Sequence, residues 1–402
     1  MPISQWFDEY LRCPATQEPL VRCGRADLKD RWQGEPRPSA GAVFADVEPV
    51  DVLVTRSGES AYPVVDGVPV LMRPERLTPD GQGPACDLSR PPFDEAYAEQ
   101  AHYTEQPAAG APQQVVDEAI AHLLALGDLS EAERSSFPDP WWRWVGNTSE
   151  ITALESAMRH LAPLAGTLVV QLGGNGLHGL TLLAAGAARL IAVSPVLAEL
   201  QLCRAVAEGA GLADRVGLVL GLGEELPLAT DAIDVVFSPA SLHHMHTEMA
   251  MPEVSRVLAI GGRFASVDPY RSPLYGPGVA IFGKTDPGVR CRPLDAERLQ
   301  PVSAFDRGDL LWRGTSARYL MMALSRLGRL PSAERCYRLA RREDRLATRV
   351  RVLRRFASVV VVLGTKGREE DLPPRDENEV DALETTTDRP RRAVSLRFGG
   401  AG

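Results

Sequence analysis

The chain has 402 residues, which at about 100–200 residues per domain predicts two to four domains. Hydrophobic residues make up 44% and charged residues 24% of the sequence, as in soluble globular proteins, and these values exclude wholesale disorder and fibrous proteins. The formal net charge is −9, so general affinity for nucleic acid is not expected. No apolar run approaches the roughly 20 residues of a transmembrane helix, and the acidic, amphipathic N-terminus has no signal-peptide pattern. We therefore expect a soluble cytoplasmic protein without membrane contact.

Residues 1–75 are predicted to form a small β-rich domain. Three short segments with the composition of strands lie at residues 50–55, 61–65 and 68–72. The last two are joined by Asp66 and Gly67, a pair that is typical of a two-residue β-hairpin turn. A domain of this size is marginally stable by itself, so a metal or a docking partner would stabilise it.

The same domain carries a recognisable signature. The stretch LRCPATQEPL, followed by LVTRSGESAYPVVDGVPVLM, resembles the small zinc-ribbon-like family whose eukaryotic members activate tRNA, ribosomal RNA and release-factor methyltransferases. The signature residues of that family are intact at Tyr62, Pro63, Asp66, Gly67 and Pro69. Its metal-binding cysteines are not, because Thr16 stands at the partner position of Cys13 and residues 55–57 hold no thiolate. One cysteine cannot complete a tetrahedral zinc site, so we predict no metal.

Residues 76–148 are predicted to be a connector, because they are rich in Pro and Gly around one apolar helix at 115–126. The WWRW segment at 141–144 is interpreted as an anchor of this connector onto the next domain, with an exposed stacking platform as the alternative. At the other end of the chain, residues 367–402 begin with an acidic stretch and lack a hydrophobic period, so they are predicted to be a disordered tail.

Residues 149–366 alternate between strand-like and helical segments. The strand-like segments lie at 167–172, 190–193, 216–220, 233–237, 262–267 and 359–364. Alternation of this kind predicts an α/β fold with a doubly wound, mostly parallel sheet that helices cover on both faces.

A glycine-rich turn follows the first of these strands and leads into a helix. It contains Gly173, Gly174 and Gly176, and such a turn lets the backbone approach a ligand closely at a helix N-terminus. In chain order, VVQLGGNG, LIAVSP, GEELPLATDAIDVVFSPASLHHM and EVSRVLAIGGRFASVDP resemble the motifs of class I S-adenosylmethionine-dependent methyltransferases. The resemblance implies a Rossmann-like fold and S-adenosylmethionine as the cofactor.

The resemblance also implies which residues contact that cofactor, namely Gln171, Gly173, Gly174, Gly176, Ser194 and Glu224. Three positions that are acidic in the family are altered here: Gln171 near the methionine end, Ser194 near the ribose and Leu222 near the adenine. Hydrogen bonds to a carboxylate contribute about 1.5–3 kcal/mol each, against about 1 kcal/mol for neutral pairs. The changes therefore weaken cofactor binding unless the replacements, with Glu224 or Glu225, compensate.

His243 and His244 follow the fourth strand and are the candidate catalytic residues. The resemblance implies that the substrate lies there, near the methyl group being transferred. A neutral imidazole could accept a proton from a hydroxyl or amine nucleophile, and a structural role of the Leu-His-His element is the alternative. No N/D-P-P-Y sequence follows this strand, which disfavours methylation of amide or base nitrogens.

A helical insert at about 270–355 is expected to roof the substrate pocket. Arg271, Lys284, Arg290 and Arg292 in its first half suit an anionic substrate, with ordinary surface arginines as the alternative. The second half is an arginine-rich helix, interpreted as solvated or paired with the acidic tail rather than as an RNA-binding face.

Three functional hypotheses follow. The first is a S-adenosylmethionine-dependent methyltransferase that acts on a small molecule, as the glycine turn and the two histidines indicate. The second is a catalytically inactive, methyltransferase-like binding or scaffold protein, as the altered acidic positions indicate. The third is an RNA or translation-factor methyltransferase, which the N-terminal signature suggests and the negative charge disfavours. The sequence leaves the methyl acceptor, the role of the N-terminal domain and the oligomeric state open.

Overall fold

The computed structural model of the protein describes residues 6–24, 37–38, 43–44, 51–78, 86–105, 113–135, 137, 150–273, 275–277, 291–329, 331–350, 353 and 355–367. The WWRW segment at 141–144, Lys284, Arg290 and the tail from residue 368 onward lie outside these described residues.

A mixed sheet forms the centre of the described protein. Its strands are β1 (Leu20–Gly24), β2 (Arg37–Pro38), β3 (Asp51–Thr55), β4 (Ala61–Val65), β5 (Val68–Leu71), β6 (Leu77–Thr78), β7 (Leu168–Leu172), β8 (Arg189–Ser194), β9 (Val216–Gly221), β10 (Ile233–Pro239), β11 (Leu258–Pro269), β12 (Arg307–Arg313) and β13 (Val359–Thr365). The order across the sheet is β1-β3-β4-β5-β9-β8-β7-β10-β11-β13-β12. Strands β5 and β7 to β11 pair in parallel, and β13 runs antiparallel to both of its neighbours. The predicted Rossmann-like α/β fold is confirmed.

Helices cover both faces of this sheet. They are α1 (Phe93–Glu105), α2 (Gln113–Gly127), α3 (Glu131–Ser135), α4 (Ile151–Leu161), α5 (Leu177–Ala184), α6 (Leu197–Gly209), α7 (Thr247–Val257), α8 (Ala317–Arg326) and α9 (Ala333–Arg349). Successive residues of a strand point to opposite faces. Val169 of β7 therefore packs in the core under α4, α5 and α6, and Val170 packs in the core under α7. None of the described helices is long and apolar enough to cross a membrane.

The N-terminal strands continue the central sheet. Asp66 and Gly67 have positive φ angles of 49° and 75° and form the predicted hairpin turn between β4 and β5. Strand β5 then pairs in parallel with β9. Phe7 packs closely on β9, since a Cβ atom at Gly217 would lie 2.6 Å from its ring. The N-terminal strands and the central strands thus form one continuous sheet.

Part of the insert joins the central sheet. Strand β12, which the sequence analysis did not predict, lies at the edge of the sheet and pairs with β13. Helix α9 packs against α4, where Glu155 is 1% exposed and accepts hydrogen bonds from Tyr337 and Arg159, both at 2.9 Å. One face of this arginine-rich helix is thus packed, and the arginines at 335, 338, 342 and 345 on its other faces are exposed.

Candidate active site

Strands β7 to β11 end at one edge of the sheet, and the turn after β7 lies at its centre. Gly173, Gly174 and Gly176 all have positive φ angles, between 67° and 75°, a backbone conformation that side chains other than glycine strain to adopt. The glycines differ in the room that each has for a side chain. A Cβ atom at Gly173 would lie 2.5 Å from the Cβ of Ser241, whereas one at Gly174 would meet nothing closer than 3.6 Å. The turn is therefore open at Gly174.

Gln171 braces this turn from within. Its side chain is 1% exposed. Its Nε2 donates to the carbonyl of Gly173 at 2.9 Å, and its Oε1 accepts from the backbone N–H of Gly179 at 2.6 Å. Both polar ends of the amide are engaged within the protein, so the neutral residue serves here to hold the turn and the start of α5 together.

A carboxylate stands beside Ser194 at the tip of β8. Ser194 is buried, accepts from the N–H of Val196 at 3.1 Å and donates to Oε2 of Glu199 at 2.7 Å. Burial raises the pKa of Glu199 to about 7, against the lowering effect of the Ser194 hydrogen bond and with a further increase from Glu99. Glu199 comes from the first turn of α6, five residues after the position where the family resemblance places an acidic residue.

A second buried carboxylate follows β9. Glu224 accepts from the N–H of His246 at 2.8 Å. Burial, together with the nearby carboxylates of Glu95 and Glu99, raises its pKa to about 7 against the lowering effect of its backbone hydrogen bonds. Leu222 is 3% exposed and belongs to the apolar core, so it offers the edge no polar group.

Helix α1 of the connector lies over the same edge. Oε1 of Gln100 accepts from the N–H of Leu197, the first residue of α6, at 3.0 Å. Oε1 of Glu99 lies 2.9 Å from Nδ1 of His244. One turn earlier, Glu95 pairs with Arg292 of the insert. The edge is thus lined by carboxylates from three separate parts of the chain.

His243 lies between a carboxylate and a thiol. Asp268, at the end of β11, is 1% exposed and accepts from both the backbone N–H and the Nδ1 of His243, at 3.0 Å and 2.8 Å. The same ring forms a hydrogen bond to the thiol of Cys291, which lies 3.5 Å from the hydroxyl of Tyr275. Burial by itself lowers the pKa of His243, but the hydrogen bonds to Asp268 and Cys291 outweigh it and raise the pKa to about 9.

The raised pKa of His243 bears on its predicted role as a neutral base. At neutral pH a ring with this pKa carries its proton, so the ring must lose that proton before it can act as a base. His244 packs on it with 4.0 Å between the ring centroids. The structure therefore places both candidate histidines at the edge of the sheet, just after Ser241, which contacts Gly173. Each of them is paired with a carboxylate, His243 with Asp268 and His244 with Glu99.

Arginines of the insert hold the histidine turn in place. Arg298 donates to the carbonyls of His243 at 3.2 Å and Met245 at 2.6 Å. Of the arginines predicted for an anionic substrate, Arg292 pairs with Glu95, and Arg271 lies 3.6 Å from Asp295. Both of these described cations are therefore already matched by an acid.

Several residues of this edge escaped the sequence analysis, among them Glu199, Asp268 and Cys291. Asp268 carried a usable signal, because it directly follows an apolar strand in the SVDP stretch. Cys291 carried none, since its neighbourhood depends on how the insert folds back. Glu199 was indistinguishable from an ordinary first-turn acid of a helix.

A family model described as a methyltransferase domain matches residues 170–266. The tRNA U34 carboxymethyltransferase of Methylococcus capsulatus is 41% identical over 137 residues, which are 34% of this chain and 40% of that protein. The malonyl-[acyl-carrier protein] O-methyltransferase of the same organism is 33% identical over 159 residues, or 35% of this chain and 57% of that protein. The chain thus spans less than two thirds of the length of either relative.

Among solved structures, the geranyl diphosphate C-methyltransferase of Streptomyces coelicolor, in complex with Mg²⁺, geranyl diphosphate and S-adenosyl-L-homocysteine, has a TM-score of 0.41 at 16% identity. The match covers 54% of this chain and 79% of that one. The family match includes the glycine turn, Ser194, Glu224 and both histidines. Residues 170–266 are therefore similar to a methyltransferase domain.

Proposed function

We propose that the protein is a S-adenosylmethionine-dependent methyltransferase whose acceptor is a small molecule. The observation that carries the proposal is the carboxylate of Glu199 beside Ser194 at the tip of β8, 2.7 Å from the serine hydroxyl. It supplies an acid close to the position where the sequence lacks one. A carboxylate in this place can accept hydrogen bonds from the hydroxyls of a ribose.

The described residues fit the cofactor. The turn is open at Gly174, where an added Cβ atom would meet nothing closer than 3.6 Å. The hydroxyl of Ser238, at the end of β10, is buried without a hydrogen-bond partner. S-adenosylmethionine carries positive charge at its sulfonium and ammonium groups, and Glu199, Glu224 and Glu99 supply negative charge around the edge. These residues, with the glycine turn, would hold the cofactor.

When bound, the cofactor supplies an electrophilic methyl group for a single displacement. The contribution of the protein is chiefly alignment and the exclusion of water. Gln171 keeps the turn in shape, Arg298 fixes the histidine turn, and α1 covers the edge from above. The paired carboxylate of Glu99 holds the His244 ring beside the acceptor side of the edge.

The charge of the edge favours a small acceptor over RNA. One relative is, by its name, a tRNA carboxymethyltransferase, and another is a malonyl-[acyl-carrier protein] O-methyltransferase. Here Glu99 lies beside His244 on the described edge, and the described arginines Arg271 and Arg292 are already paired with acids, so they offer a phosphate backbone little free positive charge. A binding assay with bulk tRNA across salt concentrations checks this inference, since affinity that falls steeply with salt would show phosphate contacts and contradict it.

Two glycine variants test cofactor binding. Gly174 and Gly166 both have positive φ angles, 67° and 76°, and both have room for a Cβ atom. Gly174→Ala and Gly166→Ala therefore carry similar backbone strain, but only the first alters the turn. We expect isothermal titration with S-adenosylmethionine to show binding by the wild type and Gly166→Ala, and at least about tenfold weaker binding by Gly174→Ala. If the wild type binds neither S-adenosylmethionine nor S-adenosylhomocysteine, the proposal fails and a binding or scaffold protein remains.

A further inference from the structure

Cys291, His243 and Asp268 form a connected set of a thiol, an imidazole and a carboxylate. Asp268 is itself fixed, because its Oδ2 accepts from the hydroxyl of Ser266 at 2.6 Å while its Oδ1 takes the Nδ1 of His243 at 2.8 Å. With one ring nitrogen held in this way, the ring cannot turn away from the thiol of Cys291. Nucleophilic cysteines are activated by this arrangement, in which a third group orients the base.

Cys291 differs from the other cysteines in its accessibility. It is exposed, whereas Cys13, Cys23, Cys203 and Cys336 are buried and Cys86 is half-buried. The hydroxyl of Tyr275 lies 3.5 Å from the Cys291 sulfur on the open side. A reagent from solution can therefore reach a thiol that the interior of the protein holds in position.

We propose that Cys291, held by His243 and Asp268, is a preformed thiolate that binds an electrophilic carbon covalently, and that its ligand is a conjugated carbonyl compound. The groups around it favour the charged form. Burial raises the pKa of the thiol, but the hydrogen bonds from His243 and Tyr275 and the charge of His243 outweigh this and lower it, with Asp268 opposing. The pKa of His243 is raised to about 9, so its ring is positively charged at neutral pH and favours the thiolate form of Cys291.

The addition is balanced with these groups alone. The sulfur lone pair of Cys291 forms a bond to the β-carbon of the conjugated carbonyl compound, and the π electrons move to the α-carbon and the carbonyl oxygen as an enolate. The imidazolium of His243 then donates its proton to that enolate. The products are a neutral imidazole and a thioether adduct, so no leaving group, oxidant or further reactant is needed. The reverse sequence releases the ligand.

The position of the thiolate suggests what this bond is for. Asp268 ends β11 and His243 follows β10, so the set lies at the sheet edge where the acceptor of the proposed methyltransferase would sit. The inference that the methyl acceptor is a conjugated carbonyl compound rests on the proposed function. The existence of the thiolate does not depend on it.

Labelling with N-ethylmaleimide, itself a conjugated carbonyl compound, tests the thiolate on the full chain without added cofactor. Peptide mass spectrometry follows the adduct at each cysteine between about pH 6 and pH 8. Below its pKa, a thiol reacts about tenfold faster for each unit by which the pH rises. The half-buried Cys86, whose pKa is raised by burial, serves as the internal reference for this pH dependence. We expect Cys291 to react at least about tenfold faster than Cys86 near pH 6, with a rate that is nearly flat with pH.

Variants separate activation from simple exposure. His243→Gln and Asp268→Asn should slow labelling of Cys291 at low pH at least about tenfold and restore a pH-dependent rate, while the rate at Cys86 reports whether each variant is still folded. Tyr275→Phe should also slow labelling of Cys291, but by less. It replaces His243→Gln and Asp268→Asn as the test if those two variants unfold. A Cys291 rate that rises with pH in the wild type, or that is unchanged in folded His243→Gln, overturns the inference. Titration of the wild type with S-adenosylmethionine is independent of labelling, so absence of binding would refute the proposed function and leave the thiolate standing.

Discussion

Replacing Glu199 by glutamine should stabilise the protein and weaken its cofactor binding. The pKa of Glu199 rises from 4.5 to about 7 on folding, mainly through burial. Between these pH values the folded state binds more protons than the unfolded state, so the free energy of unfolding falls as pH increases through this window. At about 1.4 kcal/mol per pH unit, the ionised carboxylate costs about 3 kcal/mol of stability above pH 7. Glutamine can still accept the hydrogen bond of Ser194 and never ionises.

Urea unfolding at two pH values measures this effect. We expect Glu199→Gln to raise the free energy of unfolding by about 2–3 kcal/mol near pH 8 and to leave it nearly unchanged near pH 4, where the carboxyl is protonated in both states. Glu208→Gln, on the exposed surface of the same helix, is the matched control and should change neither value. Equal stability of Glu199→Gln and wild type near pH 8 would refute the reasoning, as would a gain in stability that persists at pH 4.

Three further predictions concern binding and packing. At about pH 7 the carboxyls of Glu199 and Glu224 are partly protonated, so binding of cationic S-adenosylmethionine should release protons, which calorimetric titration in buffers of different ionisation enthalpy measures. S-adenosylhomocysteine, whose sulfur is neutral, should release fewer protons, and equal release would contradict this prediction. Gly179→Ala places a Cβ atom 2.6 Å from Leu190 and should lower the free energy of unfolding in urea by about 1–3 kcal/mol, unlike a substitution at an open glycine. Tyr337→Phe removes a hydrogen bond to buried Glu155 and should cost about 1 kcal/mol in the same assay, and no change would argue that α9 is not packed on α4.

The alternation of strand-like and helical segments along residues 149–366 was sufficient to predict the central strands of the sheet. Strand β4 and the Asp66–Gly67 turn lie where the sequence places them, because local residue preference and tertiary packing agree there. Strand β12 was missed, since RGDLLWR shows neither alternation nor a long apolar run. Most of its residues are only partly buried, because one hydrogen-bonding edge of an edge strand is open to solvent, so no strong apolar pattern marks it.

The site was only partly predictable for a related reason. The glycine turn depends on local backbone conformation, which the sequence reveals. The pairing of His243 with Asp268 and Cys291 joins three segments that are distant along the chain, and a single sequence carries no information on such contacts. The altered acidic position at Ser194 was correctly noticed, but the acid that stands beside it lies on the next helix.

The parallel pairing of β5 with β9 has a consequence for biosynthesis. Residues 68–71 emerge from the ribosome about 150 residues before their partner strand at 216–221, which at 5–20 residues per second is a delay of roughly 10–30 seconds. During that time the N-terminal hairpins are a nascent chain with an uncovered edge strand, which is prone to pair with other chains. Completion of the fold, and with it protection of this edge, must therefore wait for translation of β9.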